Sequence, residues 1–130
     1  MSPKAKPIQR ETAQEMSCGA IRTEAEGVKI FVAGGSDVDY IETVRVDVFS
    51  VATGEWAQGP RLPMPLRAAA TVQFRDTLLL VGGRRWGGGL RTVMKLEPQT
   101  GQWTVLEQKL KYPRWGVFAM MVNSSMISAC

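Results

Sequence analysis

The chain has 130 residues, of which 45% are hydrophobic and 22% are charged, and its formal net charge is +4. This composition is that of an ordinary folded domain, and no apolar stretch approaches the ~20 residues that a membrane-spanning helix requires. Because the sequence contains no histidine, it lacks the usual general base and the commonest metal ligand, which excludes catalysis built on histidine within this chain.

The N-terminal segment, residues 1–16, is polar and lacks the hydrophobic core of a signal peptide. We expect it to be a disordered tail or the remnant of an upstream domain. With no secretion signal in view, we expect a cytoplasmic protein. The two cysteines, Cys18 and Cys130, give no disulfide framework, and we expect both to be reduced and partly buried in strands.

The first group of predicted strands lies between residues 17 and 58. The run IFVAGG is a short apolar stretch that ends in two glycines, which is typical of a buried strand. Val44, Val46 and Val48 alternate with the polar residues Arg45, Asp47 and Ser50, which predicts a half-buried strand. The four strands predicted for this group, named a to d, are Ser17–Thr23, Val28–Ala33, Val44–Ser50 and Glu55–Gln58.

The second group repeats the first almost in register. Gly34-Gly35 recurs as Gly82-Gly83 at an offset of 82 − 34 = 48, and Trp56 recurs as Trp103 at an offset of 103 − 56 = 47. The offset of 47 also relates Thr53-Gly54 to Thr100-Gly101, and Arg67 to Arg114. The strands a to d predicted here are Ala68–Phe74, Leu78–Val81, Thr92–Leu96 and Gln102–Leu106, and a third group begins with Gly116–Val122 and Met126–Ala129.

A period of about 50 residues with a strand-ending diglycine and a later tryptophan resembles the kelch repeat. Phe49 and Leu96 lie seven residues before the tryptophans, 56 − 49 and 103 − 96, where that family commonly has tyrosine. The resemblance implies an all-β fold, an incomplete β-propeller of four-stranded antiparallel kelch blades, with a blade at 17–65, a blade at 66–113 and a half blade at 114–130. It also implies structural roles for Gly34, Gly35, Phe49, Trp56, Gly82, Gly83, Leu96 and Trp103.

A propeller usually closes with about 4–8 blades, whereas the third repeat stops at Ala129-Cys130, where its diglycine is expected. We therefore expect the chain to be a fragment or the product of a truncated reading frame. An unclosed propeller leaves sheet faces and strand edges without partners, so we also expect self-association.

Other motifs do not form a catalytic centre. Gly87-Gly88-Gly89 lacks the Lys-Ser/Thr of a phosphate-binding loop and lies between two strands. The acidic pairs Glu24/Glu26 and Asp37/Asp39 fall in predicted turns, where solvated carboxylates are common, and no cluster has the spacing of metal ligands. Asn123-Ser124-Ser125 fits the glycosylation pattern but is expected to be a hairpin turn. We expect no catalytic residue, no metal and no cofactor.

The resemblance implies that the b–c and d–a loops bind a protein partner. The b–c loops are 36–43 and 84–91, and the d–a loops are 59–66 and 108–114. Trp, Tyr and Arg are enriched at binding hot spots, and arginines favour an acidic segment on the partner; we expect no nucleic acid and no membrane as partner. In the alternative, Trp86 folds over its own blade and the arginines pair with the neighbouring acidic loop. The candidate partner-binding residues are Tyr40, Arg84, Arg85, Trp86 and Arg91.

The resulting interpretation is a non-enzymatic protein-interaction module, a piece of a larger adaptor or scaffold. One version in the family is the substrate-recognition half of a cullin-type ubiquitin ligase adaptor, a role that needs a BTB domain, and this sequence contains none. The alternative is a piece of a kelch-type enzyme, a sugar-acid epimerase or an oxidase, with its catalytic residues in other blades. Histidines or clustered acids on the axial loops of a complete chain would favour the enzyme.

Overall fold

The computed structural model describes residues 14–117 and residue 119, which form two four-stranded antiparallel sheets and one short hairpin. No helix occurs among these residues. The strands are β1 Ser17–Thr23, β2 Gly27–Ala33, β3 Val46–Ser50, β4 Glu55–Gln58, β5 Ala70–Phe74, β6 Thr77–Val81, β7 Arg84–Arg85, β8 Gly88–Gly89, β9 Val93–Leu96 and β10 Trp103–Val105.

Each sheet is an up-and-down meander in which strands that follow one another in sequence lie side by side. The first sheet has the order β1-β2-β3-β4, and the second has the order β5-β6-β9-β10. The hairpin of β7 and β8 is inserted between β6 and β9. The prediction of four antiparallel strands per repeat is therefore confirmed for both repeats.

Two strands begin two residues later than predicted, β3 at Val46 rather than Val44 and β5 at Ala70 rather than Ala68, and the other bounds agree to within one residue. The second diglycine is followed by a paired hairpin, which was not predicted from the sequence. The strands predicted for the third repeat lie outside the described residues, apart from Gly116, Val117 and Ala119.

The hydrophobic core lies between the two sheets. Ile21, Ala33 and Val46 of the first sheet join Leu80 and Met94 of the second in one buried cluster. Strand β1 packs against β5 and β6. The hydroxyl of Ser17 on β1 also donates a 2.9 Å hydrogen bond to the carbonyl of Ala69, just before β5. Apolar burial and hydrogen bonds thus fix the second sheet against the first.

The two repeated tryptophans occupy equivalent register positions. Trp56 lies opposite Phe49 in the first sheet, and Trp103 lies opposite Leu96 in the second. The rings of Phe49 and Trp56 are 5.0 Å apart between centroids. Trp103 is 6% exposed because its side of the sheet faces the first sheet, whereas Trp56 is only half-buried. The register is thus repeated, and the burial depends on which face has a neighbouring sheet.

Each diglycine lies where the backbones of two consecutive repeats approach each other closely. Gly34 has φ 65°, and a Cβ atom there would lie 2.5 Å from the carbonyl oxygen of Leu66. Gly82 has φ 69°, and its Cβ atom would lie 2.4 Å from the carbonyl oxygen of Arg114. Only glycine accommodates both the left-handed conformation and the short distance, which explains why the pair recurs.

The same contacts correct one of the predicted correspondences. The amide of Gly35 donates to the carbonyl of Leu66, and the amide of Gly83 donates to the carbonyl of Arg114. Arg114 is therefore the structural equivalent of Leu66, at an offset of 114 − 66 = 48, and is not the equivalent of Arg67. The prediction that pairs Arg67 with Arg114 is wrong because the segment after β10 is one residue longer than the segment after β4.

Two side chains are buried differently from the expectation. Asp47 is one of the polar residues of the strand predicted to be half-buried, but it is only 3% exposed. Its carboxylate accepts hydrogen bonds of 2.9–3.0 Å from the guanidinium of Arg45, which immediately precedes β3. This charge-assisted pair offsets the desolvation of the carboxylate. Cys18, expected to be partly buried, lies exposed on β1.

Candidate interaction surface

The loop between β2 and β3 is organised by the side chain of Asp37. The Oδ1 atom of Asp37 accepts hydrogen bonds from the backbone amides of Asp39, at 2.9 Å, and Ile41, at 3.0 Å. The amide of Asp37 donates in turn to the carbonyl of Ile41. Tyr40 takes a positive φ of 62° within this turn. A carboxylate that closes its own loop in this way fixes the backbone, so the loop presents a defined surface.

The side chains of this loop point into solvent although several are apolar. Val38, Tyr40 and Ile41 are each at least 60% exposed. Such exposure of neighbouring large apolar groups is typical of a contact surface for another molecule. The predicted candidate Tyr40 is therefore accessible.

The corresponding segment of the second repeat is the β7–β8 hairpin. Arg84 pairs with Gly89 and Arg85 with Gly88, which leaves Trp86 and Gly87 as the two-residue turn. Trp86 is 92% exposed. This value excludes the alternative in which Trp86 folds over its own blade. The structure thus presents a large aromatic side chain at the tip of a paired hairpin.

The indole ring of Trp115 packs against the hairpin. A Cβ atom at Gly89 would lie 2.6 Å from Cε3 of Trp115, so the strand rests directly on the indole ring. On the other strand, the guanidinium of Arg84 lies 5.8 Å from the centroid of the same ring, within the range of a cation–π contact. Arg84 and Gly89 are partners in the hairpin, so Trp115 supports both of its strands.

Arg91 joins the hairpin region to the loop that follows β10. Its Nε donates a 2.7 Å hydrogen bond to the carbonyl of Leu110, and a bridge pairs Leu90 with Arg114. Of the predicted candidates, Arg84 and Arg91 thus have structural contacts, whereas Arg85 and Trp86 are presented to solvent. The structure brings Arg84, Arg85, Trp86 and Arg91 into one region and places Tyr40 on the preceding loop.

Arg67, which is not among the predicted candidate residues, connects the two loops. Its backbone exchanges hydrogen bonds with Arg84, at 2.7 and 2.8 Å. Its Nε lies 3.6 Å from the carboxylate of Glu42 and 3.3 Å from that of Glu15. The side chains of Arg67 and Glu42 are 13% and 7% exposed. The acidic loop of the first repeat thus pairs with Arg67, whereas the alternative had it pairing with the hairpin arginines.

The contact between Glu42 and Arg67 could not be found from the sequence. The two residues are 25 positions apart, 67 − 42, and only the packing of consecutive sheets brings them together. The usable signal was the presence of an acidic loop in one repeat and an arginine at the start of the next.

Charge is distributed unevenly over this end of the sheets. The segments 84–91 and 108–116 carry three basic residues each, Arg84, Arg85, Arg91, Lys109, Lys111 and Arg114, and no acidic residue. Segment 36–43 carries three acidic residues and no basic residue. A basic half and an acidic half therefore adjoin, with Arg67 at the boundary.

One residue of each acidic pair, Asp37 and Glu26, makes a structural contact. Asp37 closes its loop, and Glu26 pairs with Lys29 at 3.1 Å in an exposed position. Within residues 14–117 no cluster of three or more His, Cys, Asp or Glu side chains could hold a metal ion. The same part of the chain contains no helix long and apolar enough to cross a membrane.

An open groove lies between the sheets at the end opposite these loops. It has a volume of about 330 Å³, and its lining includes the apolar side chains of Ile21, Phe31 and Leu96 and the acidic side chains of Glu26, Asp76 and Glu97. Nothing in its lining distinguishes it from the outer edge of a sheet-to-sheet contact.

Comparisons with known proteins agree with this architecture. Residues 65–109 match the Kelch motif, a range that includes the end of the first d–a loop and all four strands of the second sheet. The chain is also 29% identical, over 119 residues, to the Kelch-like protein terF of Aspergillus terreus, a match that covers 85% of this chain and 26% of that relative. The chain thus spans about a quarter of the length of the curated relative it matches.

Proposed function

We propose that the chain is a kelch-type protein-interaction module that binds a partner through its b–c and d–a loops. The match of residues 65–109 to the Kelch motif and the similarity to a Kelch-like protein support this proposal. Kelch repeats generally mediate contacts between proteins, and we assign this module to a larger adaptor or scaffold. The role is one of binding, in which the loops supply contact area and charge.

The observation that carries the proposal is the exposure of Trp86. A tryptophan that is 92% exposed leaves a large apolar area in water, which is unfavourable unless a partner covers it. The ring stands on a hairpin supported by Trp115, so little conformational freedom of the backbone has to be lost on binding. Rigid aromatic side chains of this kind are enriched among the residues that dominate binding energy.

The charges around Trp86 indicate the kind of segment that it meets. Arg85 is exposed beside it, and Lys109 and Lys111 lie on the neighbouring d–a loop. Guanidinium groups pair with carboxylates through two parallel hydrogen bonds. We therefore propose a partner segment that combines an acidic residue for Arg85 with an apolar pocket for Trp86.

The test is capture of a partner with the full chain, followed by binding measurements on variants. Trp86→Ala is expected to weaken binding by about 2 kcal/mol, about thirtyfold, because hot-spot tryptophans contribute this much or more. Arg85→Glu is expected to reduce the association rate, and the reduction should shrink as salt is added.

The matched control is Arg22→Glu, which makes the same change of charge on β1, away from the hairpin. All variants are compared with the parent by far-UV circular dichroism. If Trp86→Ala and Arg85→Glu stay folded and bind the captured partner as tightly as Arg22→Glu does, the binding site lies elsewhere and the hairpin only connects two strands.

A further inference from the structure

The loop surface is complementary to itself. Its basic half, segments 84–91 and 108–116, presents the exposed side chains of Arg85 and Trp86 on the hairpin. Its acidic half is the loop 36–43, with the exposed side chains of Asp39 and three apolar neighbours, Val38, Tyr40 and Ile41. Each half offers what the other lacks, since one presents a cation beside an aromatic ring and the other presents an anion beside apolar groups.

The two halves adjoin through a chain of contacts. Arg67 lies 3.6 Å from the carboxylate of Glu42 in the acidic half and exchanges backbone hydrogen bonds with Arg84 in the basic half. A surface with complementary halves on either side of a line can pair with a rotated copy of itself, because a twofold axis that runs along that line places each half against the opposite half of the other copy.

We propose that a second copy of this chain binds at this surface in a symmetric dimer, with Trp86 of each copy against Tyr40 and Ile41 of the other. Arg85 of each copy then pairs with Asp39 of the other. The inference rests on the proposed function in taking the same loops as the contact surface, and it makes self-association a competitor of partner binding there.

Rigidity on both sides supports this pairing. The acidic loop is closed by the Asp37 carboxylate, which holds the amides of Asp39 and Ile41, and the hairpin rests on Trp115. Preformed loops bind with a smaller loss of conformational entropy than mobile ones. A uniformly anionic partner fits less well, because the acidic half repels it where it crosses the boundary at Arg67.

The inference is tested by sedimentation velocity on the full chain over a range of concentrations, at low salt and at molar salt. The expected result is a monomer–dimer equilibrium that weakens in molar salt, where the screening length is only about 3 Å. Arg85→Glu and Asp39→Arg are each expected to weaken the dimer by about tenfold or more, because two close ion pairs become two repulsions.

Mixing these two variants gives the sharpest result. In a heterodimer of Arg85→Glu with Asp39→Arg, both contacts again join opposite charges, so the mixture should dimerise as the parent does although neither variant does so alone. Arg22→Glu and Asp76→Arg make the same charge changes away from the loops, and they should leave the dimer unchanged.

Three outcomes overturn the inference. One is a chain that stays monomeric at every concentration and salt, even if it still binds a captured partner, in which case the proposed function stands. Another is an association that does not respond to salt or to either charge reversal, as association through open sheet edges would behave. The third is two variants that remain monomeric when mixed.

Discussion

At the scale of single residues, the diglycine is the position at which the sequence dictates the geometry most strictly. Gly34 and Gly82 have nearly the same φ, and each meets the carbonyl oxygen of a residue in the next repeat at a distance that excludes a side chain. The following glycine donates its amide to that same carbonyl. The pair thus joins consecutive repeats through the backbone, so its recurrence reflects contact between repeats.

The close approach at Gly34 can be separated from its backbone conformation. Gly101 has φ 68°, close to the 65° of Gly34, but a Cβ atom there would meet nothing within 4 Å. Gly101→Ala should therefore cost about 1–2 kcal/mol of stability from the left-handed conformation alone. Gly34→Ala should cost clearly more, because it adds a collision with the Leu66 carbonyl.

The measurement is the free energy of unfolding of both variants by chemical denaturation. Equal losses for Gly34→Ala and Gly101→Ala would show that the diglycine is retained for its φ angle and not for the contact between repeats.

At the scale of elements, the β7–β8 hairpin is the feature that the sequence did not predict. Its strands have two residues each, too few to be stable alone in water, so it depends on what supports it. The support is Trp115, which comes from the start of the third repeat and contacts both strands.

The dependence of the hairpin on Trp115 can be tested by substituting two aromatic residues of the segment after β10, Trp115 and Tyr112. Trp115→Ala should raise the amide hydrogen-exchange rates of residues 84–90 by removing the ring on which the hairpin rests, with little effect on β6. Tyr112→Ala is the control, because Tyr112 is 57% exposed and its ring contacts Lys111 rather than the hairpin. Unchanged exchange in the hairpin of folded Trp115→Ala would mean that its own pairing is sufficient.

The strands and their order could be predicted because both signals are local. Alternation and apolar runs located β1, β2 and β6 to within one residue, and the matched spacing of Trp56 and Trp103 indicated equivalent strands. The burial of Asp47 could not be predicted, because the alternation of polar and apolar residues does not reveal that the guanidinium of Arg45 donates hydrogen bonds to the Asp47 carboxylate. The site was predicted by residue type, and the exposure of Trp86 and the stacking of Arg84 on Trp115 depend on packing between repeats.

At the scale of the whole molecule, the meander order brings the loops that follow the two diglycines to one end of the sheets. The turns between β1 and β2 and between β5 and β6 lie at the opposite end, as the antiparallel registers require. The exposed aromatic groups and the uneven charge are concentrated at the first end, with Arg67 bridging the loops of consecutive repeats. This difference between the two ends of the sheets is the physical basis for proposing that the loop end binds the partner.

The most direct measurement of the central claim is the hydrogen-exchange footprint of the captured partner on the full chain. The account predicts slower exchange in segments 36–43, 84–91 and 108–114 when the partner is bound, with no change in the turns at 24–26 and 75–76. Protection confined to those turns or to the edge strands β4 and β10, with the three loop segments exchanging as in the free chain, would contradict it.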